Sequence, residues 1–253
     1  MRGMAKPWPP ADVSPDGRVP CTFVHAEQQY LAALPAAQEN TAFARAQFSR
    51  LEKRKLREVM YREQRSLCVY CERRIQESHP APRIEHWRPL SRDHQHALCW
   101  KNLYLSCPTP GTCDDAKGDR PLKWDDAAPD LPWPTDRAYE DLLGFTSRGE
   151  IYVRSDVALD VATRKALELA IDDRHDGDRV RSAVLNLNHP ALLAARAAAL
   201  DSERTRLQKD FEARTASRGE RAQRVTDLVA GNPLLPFVSI RAAWLCKVLG
   251  RGR

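Results

Sequence analysis

Hydrophobic positions recur at helical spacing in two regions of the chain, on either side of a middle part without that period. From Thr41, the stretch TAFARAQFSRLEKRKLREVMYREQRSL carries Ala44, Phe48, Leu51, Val59 and Leu67 at roughly helical spacing. This periodicity predicts an amphipathic helix. Its outer face is strongly basic, which indicates either a solvated helix face or a surface that faces phosphate groups. The candidate nucleic-acid-binding side chains are Lys53, Arg54, Lys55 and Arg57, together with Arg88 further along the chain.

The second helical region runs from about residue 155 to the end of the chain. Ser155 can cap a helix through DVALDVATRKALELAI, in which apolar side chains form one stripe. The stretch DDRHDGD interrupts the pattern, and Asn188 can cap a long helix that has Pro190 in its first turn. Because this region carries no catalytic signature, we expect a helical scaffold or a surface that binds another protein.

The whole chain therefore divides into four parts. Residues 1–40 are Pro-rich at first and predict an irregular lead-in. Residues 41–124 join the basic helix to a segment, about 66–124, that is rich in Cys, His and Trp and predicts strands and loops. Residues 125–154, with APDLPWPTD, predict a Pro-containing connector before the helical region 155–253. The expected fold class is α+β and mainly α-helical.

Composition and charge limit the classes of function. Hydrophobic residues make up 42% and charged residues 29% of 253, which is typical of a soluble globular protein. No apolar run approaches the roughly 20 residues of a membrane span, and the first residues lack the apolar core of a signal peptide, so we expect no membrane partner and a cytoplasmic location. The net charge of +6 favours an anionic partner, nucleic acid first, although a merely soluble surface explains it equally well.

Five of the seven cysteines lie between residues 68 and 113, which favours a metal site over a disulfide framework in a cytoplasmic chain. Cys68 and Cys71 have the spacing of a tight metal-binding turn, and Cys107 and Cys113 can complete a closed tetrahedral zinc site. The five residues between the second pair are an unusually wide spacing. A replacement ligand is therefore possible, and the alternatives are Cys99, His79, His94 and His96.

Polar residues with catalytic potential stand between and just after the cysteine pairs. In RIEHWRPLSR, Glu85 and His86 are adjacent, so on a strand their side chains point to opposite faces. Neutral His86 can accept a proton from water, whereas Glu85 and Asp114 offer hard oxygen ligands that suit Mg²⁺ or Mn²⁺. Asn102 can hold the loop between two strands, and Lys117 can add positive charge near a phosphate group. Each of these residues taken singly is more often structural; their common order is what indicates chemistry.

That order resembles the HNH endonuclease family, whose core is a ββα-metal finger. The match covers residues 68–119, in the order Cys-x-x-Cys, acid-His-x-x-Pro, Asn-Leu, Cys…Cys and acid-x-x-Lys. The resemblance implies a zinc-stabilised finger between helical regions, in which His86, Asn102 and Lys117 serve catalysis while Glu85 and Asp114 bind the catalytic metal. Two positions depart from the family pattern. Glu85 stands where Asp is usual, and Asp114 where Asn or His is usual, so the preferred divalent ion can differ.

A wider resemblance points to one branch of that family. The stretches LCVYCERRI, IEHWRP, NLYLSC, CDDAKGD and VLNLNHPALLAAR are similar to the PtuB nucleases of Septu and retron-associated anti-phage systems. This resemblance implies a PtuA-like ATPase as partner and a role in defence against phage. The alternative function is a zinc-stabilised nucleic-acid-binding module without cleavage activity, and a thiol-redox protein is a more distant third.

Overall fold

The computed structural model describes residues 21–33, 40–76, 81–212, 218–231 and 234–249. Within them the chain is a mixed α and β structure, in which eight α-helices surround three two-stranded antiparallel sheets. The helices are α1 (Cys21–Ala33), α2 (Thr41–Arg50), α3 (Lys53–Glu63), α4 (Cys113–Lys117), α5 (Val161–Ile171), α6 (Pro190–Glu212), α7 (Arg218–Ala230) and α8 (Val238–Val248). The strands are β1 (Arg83–His86), β2 (Leu103–Ser106), β3 (Leu143–Phe145), β4 (Ile151–Val153), β5 (Arg174–Asp176) and β6 (Arg179–Arg181).

The amphipathic stretch from Thr41 is two helices, so the prediction of one continuous helix is wrong. Asn40 caps α2, because its side-chain oxygen accepts hydrogen bonds from two amides of the first turn. The chain then leaves the helix at Leu51, whose φ of −67° and ψ of 145° are extended, and α3 starts at Lys53. The lead-in also differs from the expectation, because α1 lies within it; residues 1–20 and 34–39 lie outside the described part of the chain.

The unit that carries the motifs has the order strand, loop, strand, helix. β1 and β2 pair antiparallel, with Glu85 opposite Tyr104 and His86 opposite Leu103. Gln64, at the end of α3, lies buried against the outer side of β2, where its amide exchanges hydrogen bonds of 2.6 and 2.9 Å with the Leu105 backbone. The short helix α4 follows β2, and its residues Asp114 and Lys117 face the β1 side of the unit.

One hydrophobic core joins this unit to the C-terminal region. Buried side chains from α3, the cysteine turns, both strands, α5 and the segment before α6 form a single cluster. The connector contributes to it, because β3 and β4 form a hairpin that packs against α5 and α8. The described helices after residue 155 therefore pack on the same unit as the cysteine turns.

The C-terminal helices begin at other residues than the sequence predicts. Asp160, not Ser155, caps α5 by accepting a hydrogen bond from the Thr163 amide at 2.8 Å. Asn188 does not cap α6; its side chain bonds both backbone groups of Ile151 instead. The interrupting stretch DDRHDGD is a hairpin, β5–β6, whose tip contains Gly177 at a φ of +62°.

Two buried carboxylates attach the last helices. Glu72, in the first cysteine turn, accepts hydrogen bonds from the Ser239 amide at 2.9 Å and from its hydroxyl at the start of α8. Glu203 of α6 binds Arg224 of α7 and Arg241 of α8, each at 2.6 Å. None of the described helices is both long and apolar enough to cross a membrane.

Candidate metal centre and active site

Four cysteines converge in the core, and they are the four named by the sequence analysis. The Sγ atoms of Cys68, Cys71, Cys107 and Cys113 all lie within 4.8 Å of one another, and all four side chains are buried. The Cys68–Cys113 separation is 3.9 Å and the Cys71–Cys107 separation is 3.7 Å. A tetrahedral ion with sulfur ligands at about 2.3 Å separates those sulfurs by about 3.8 Å. The cluster can therefore hold a metal ion such as zinc.

Backbone conformation and a backbone hydrogen bond help to bring Cys107 and Cys113 to the cluster, although five residues separate them. The amide of Cys107 donates to Cys68 Sγ at 3.3 Å. Cys113 has a φ of +55°, so the longer loop closes through a left-handed residue. Hydrogen bonds from the other thiols lower the pKa of Cys107, whereas burial raises the pKa of Cys113.

The alternative ligands lie elsewhere. Cys99 is outside the cluster, His94 Nε2 is 2.7 Å from the Thr41 hydroxyl, and His96 Nδ1 is 2.8 Å from Asp93. His79 lies outside the described residues.

A buried arginine stands beside the cysteines. Arg196 of α6 is 1% exposed, and its electrostatic neighbours include Cys71 and Cys113. One Nη atom donates to the Leu187 carbonyl, while Nε and the other Nη have no hydrogen-bond partner among the described residues. A metal with four thiolates has a net charge of about −2 when the ion is Zn²⁺. A fixed guanidinium offsets that charge, and this explains a cation buried in an otherwise apolar helix face.

Glu85 is held in a polar network on one face of β1. Its Oε1 accepts hydrogen bonds from the Tyr70 hydroxyl at 3.1 Å and from the Lys117 ammonium. Lys117 is 1% exposed and also donates to the His86 carbonyl at 2.8 Å. Its ammonium therefore positions Glu85 and the end of β1, and the expectation that it adds charge at a phosphate group is not met by this geometry.

A second carboxylate lies next to Glu85. The Glu85 and Asp114 carboxyl groups are within hydrogen-bonding reach of each other. Burial, and then the neighbouring Asp114, raise the pKa of Glu85, and the Lys117 ammonium opposes this shift. Asp114 is 14% exposed in its side chain and receives Arg83 Nη1 at 3.1 Å. Two adjacent carboxylates either share a proton or bind a cation.

His86 occupies the opposite face of β1, as strand alternation predicts. Its Nε2 is 2.8 Å from the Ala97 carbonyl oxygen, which can only accept, so the proton is on Nε2 and the lone pair is on Nδ1. Burial lowers the pKa of His86 to about 4, so the ring is neutral near pH 7. The Phe48 ring packs edge-on against the imidazole, with the two centroids 4.6 Å apart.

Asn102 fixes the loop that carries the Ala97 carbonyl. Its Oδ1 accepts from the Arg88 amide at 2.7 Å, and its Nδ2 donates to the carbonyls of Arg88 and His96 at 3.0 Å each. The side chain is completely buried. Both ends of the loop between β1 and β2 are therefore tied to one amide group, and the orientation of His86 depends on it.

The five basic residues proposed to face phosphate groups divide into two kinds. Arg54 and Lys55 are exposed and have only local partners on α3. The other three are engaged. Lys53 donates to the Phe48 carbonyl and lies over its ring, and burial lowers its pKa to about 8. Arg57 donates to the Pro82 carbonyl at 3.1 Å, and Arg88 lies between Asp93, Asp130 and the Trp133 ring.

Two important residues escaped the sequence analysis. Tyr70 lies between the cysteines of the first pair, where an aromatic residue with a hydroxyl pointing inward gives no distinctive pattern. Arg196 had a readable signal, because it is the single charged residue within ALLAARAAAL. A lone charge in such a stretch indicates a buried cation with a specific counter-charge.

No protein-family model matches the chain, and a search of the curated proteins finds no match.

Proposed function

We propose that the chain is a metal-dependent endonuclease of the HNH type, which hydrolyses phosphodiester bonds of nucleic acid. The observation that supports this best is the coincidence of three features around β1. A neutral histidine with its lone pair on Nδ1 lies on one face, two neighbouring carboxylates lie on the other, and a four-cysteine cluster anchors the same unit.

The residues have distinct roles in this proposal. His86 takes a proton from the attacking water at Nδ1 while its Nε2–H stays on the Ala97 carbonyl. Asn102 keeps that carbonyl in place, and Lys117 with Tyr70 keeps Glu85 oriented toward Asp114. Glu85 and Asp114 would hold a divalent cation such as Mg²⁺ or Mn²⁺, which would supply charge stabilisation for the phosphoryl group.

The four-cysteine cluster has a structural role in the proposal, with zinc as its ion. It is buried, closed by four sulfurs, and linked to β2 through Ser106 and Cys107 and to α6 through Arg196. A closed thiolate site without an open position serves folding, not chemistry. The same closure is why we favour a structural metal over a thiol-redox function.

The assignment of the second metal can be tested at Asp114. Asp114→Asn should lower the cleavage rate and raise the Mn²⁺ concentration needed for half-maximal cleavage, because it removes one of two carboxylate ligands. Asp115→Asn is the matched control, since Asp115 also pairs with Arg83, at 3.2 Å, but does not touch Glu85. Equal effects of the two substitutions on the Mn²⁺ dependence would contradict this metal site.

The partner in this proposal is an ATPase of the PtuA type, in a defence system against phage, as the PtuB resemblance implies. The structure offers a groove of about 930 Å³, with both polar and apolar lining, between the β3–β4 hairpin and α8, where Tyr152 and Val248 are each 48% exposed. Co-purification with the ATPase from a neighbouring gene tests the partnership. Tyr152→Glu should weaken the complex if this groove is the contact, and normal binding would place the contact elsewhere.

A nucleic-acid-binding module without cleavage activity remains the second candidate function. The near-complete burial of His86 and Glu85 favours it, because neither side chain is open to solvent in this conformation. Cleavage that requires a divalent cation, His86 and Asp114 would rule it out.

A further inference from the structure

A groove whose lining carries four cationic and three acidic side chains lies outside the residues assigned above. It encloses about 650 Å³ beside the β5–β6 hairpin. Trp124 is part of the lining, and its ring lies next to a cation from each of two elements: Lys165 Nζ of α5 is 4.8 Å from the ring centroid and the Arg181 guanidinium of β6 is 4.3 Å from it. Arg179 also lines the groove.

These cations lack acidic partners in the described structure. No described carboxylate lies within ion-pair distance of Lys165, Arg179 or Arg181, and both Lys165 and Arg179 are exposed. Each acidic residue that lines the groove has a neighbouring cation or backbone amide of its own. Asp126 pairs with Lys123 at 3.5 Å, Asp125 accepts amide hydrogen bonds in its own turn, and Asp176 lies directly opposite Arg179 in the hairpin.

The hairpin register adds an independent sign of an anionic ligand. Arg174 and Arg181 are directly opposite each other, so two guanidinium groups share one face of a two-stranded sheet. Like charges in this position destabilise the pair. Arg174 has Glu168 only at 4.0 Å, and its Nε is buried without a hydrogen-bond partner among the described residues. An anion at this face would relieve the repulsion and satisfy the donor.

The groove also has a fixed relation to the candidate active site. Arg120 donates from Nε to the Lys117 carbonyl at 3.3 Å, and its other nitrogens bind the carbonyls of residues 182–184 just after β6. The end of α4, which positions Glu85, is thus attached to the base of the hairpin. A chain bound along the groove would approach the unit that carries His86.

We infer that this groove, lined by Arg179 and Arg181 and flanked by Lys165 at the Trp124 ring, binds the phosphodiester backbone of the nucleic acid that is cleaved at His86. The inference rests on the proposed nuclease function. The aromatic ring holds two of the cations in place without neutralising them, and their donors can reach phosphate oxygens. Repeated cations on one face fit a polymer of phosphates better than an acidic protein surface.

The salt dependence of binding tests the groove apart from catalysis. Fluorescence anisotropy would follow a labelled single-stranded oligonucleotide on His86→Ala protein, so that the probe stays intact, over a series of salt concentrations. Each phosphate contact contributes about 0.7 to the slope of log K against log salt for a single strand. Arg179→Gln with Arg181→Gln should therefore reduce the slope by about 1.4, and Lys165→Gln alone by about 0.7.

The control removes the same charge from another surface. Arg206→Gln with Lys209→Gln changes two exposed residues of α6 that do not line the groove. Equal slopes for the groove and control variants would overturn the inference, because the attraction would then be general. Normal nucleic-acid binding with loss of the ATPase partner would also overturn it, and would assign the groove to an acidic protein. A slope change in a protein that never cleaves would support the groove and refute the nuclease proposal.

Discussion

Replacing Asn102 by alanine should damage the candidate site through the loop that orients His86. The substitution removes three part-buried hydrogen bonds, of 2.7, 3.0 and 3.0 Å. The Arg88 amide and carbonyl lose their Asn102 partner, whereas the His96 carbonyl keeps the Cys99 amide at 3.1 Å. At about 1 kcal/mol for each lost hydrogen bond, the free energy of unfolding should fall by about 3 kcal/mol. That is a large part of the 5–15 kcal/mol typical of a folded domain. Cleavage should fall with it, because the Ala97 carbonyl that fixes the imidazole lies in the loosened loop.

Urea unfolding and initial cleavage rates would be measured on the same zinc-loaded samples. Asn40→Ala is the matched control, since Asn40 is exposed and caps α2 with bonds of 2.7 and 3.4 Å. It should cost about 1 kcal/mol and leave cleavage unchanged. The reasoning fails if Asn102→Ala destabilises no more than the control, or if it destabilises by about 3 kcal/mol while the folded variant cleaves normally.

Three further predictions concern the metal centre and the base. Cys107→Ser should lose bound zinc in elemental analysis, whereas Cys99→Ser should keep it; the reverse result would contradict the ligand set. Arg196→Met should speed zinc transfer to a chromophoric chelator by about 10- to 100-fold, the usual effect of losing an outer-sphere partner, with Arg196→Lys in between; unchanged transfer would remove its role as counter-charge. Since burial lowers the pKa of His86 to about 4, its imidazole should stay neutral well below pH 6.5 in an NMR titration of the ring and become protonated only as the pH drops through about 4; protonation centred near 6.5 would contradict the buried, neutral base.

The cysteine cluster could be predicted from the sequence because it depends on residue type and order. Four thiols in two pairs match the ligand set of a closed zinc site, and the structure brings those same four together. The strand with Glu85 and His86 on opposite faces was equally predictable, because alternation follows from backbone geometry alone.

The roles of the charged side chains were harder to predict, because the partner of a Lys or Arg side chain depends on which distant residues the fold brings next to it. Lys117 follows the last cysteine by four residues in the sequence, yet it is buried against Glu85. From the sequence, Lys53 and Arg88 are candidates for binding phosphate. In the structure, Lys53 donates to the Phe48 carbonyl, and Arg88 pairs with the carboxylates of Asp93 and Asp130. In contrast, Arg179 and Arg181 gave no signal, since the hairpin that presents them was interpreted as a helix break.

The predicted ends of the helices were wrong because each end depends on the backbone conformation of a single residue. A periodic stretch does not reveal a single extended residue, so the turn at Leu51 between α2 and α3 was not predictable. Likewise, Ser155 and Asp160 are both good cap residues, and packing of α5 on the core selects the second.

The central claim is that His86 is the base of a divalent-metal-dependent nuclease, and its direct test is cleavage by wild-type and His86→Ala protein. Plasmid DNA, single-stranded DNA and tRNA would be incubated with Mg²⁺ or Mn²⁺, with and without the ATPase from a neighbouring gene, using His94→Ala as the histidine control. We predict cleavage of at least one substrate by the wild type and by His94→Ala, with a loss of about 10²- to 10⁴-fold in His86→Ala at unchanged zinc content and nucleic-acid binding. Equal cleavage by His86→Ala, or no cleavage of any substrate by the wild type under these conditions, would contradict the claim.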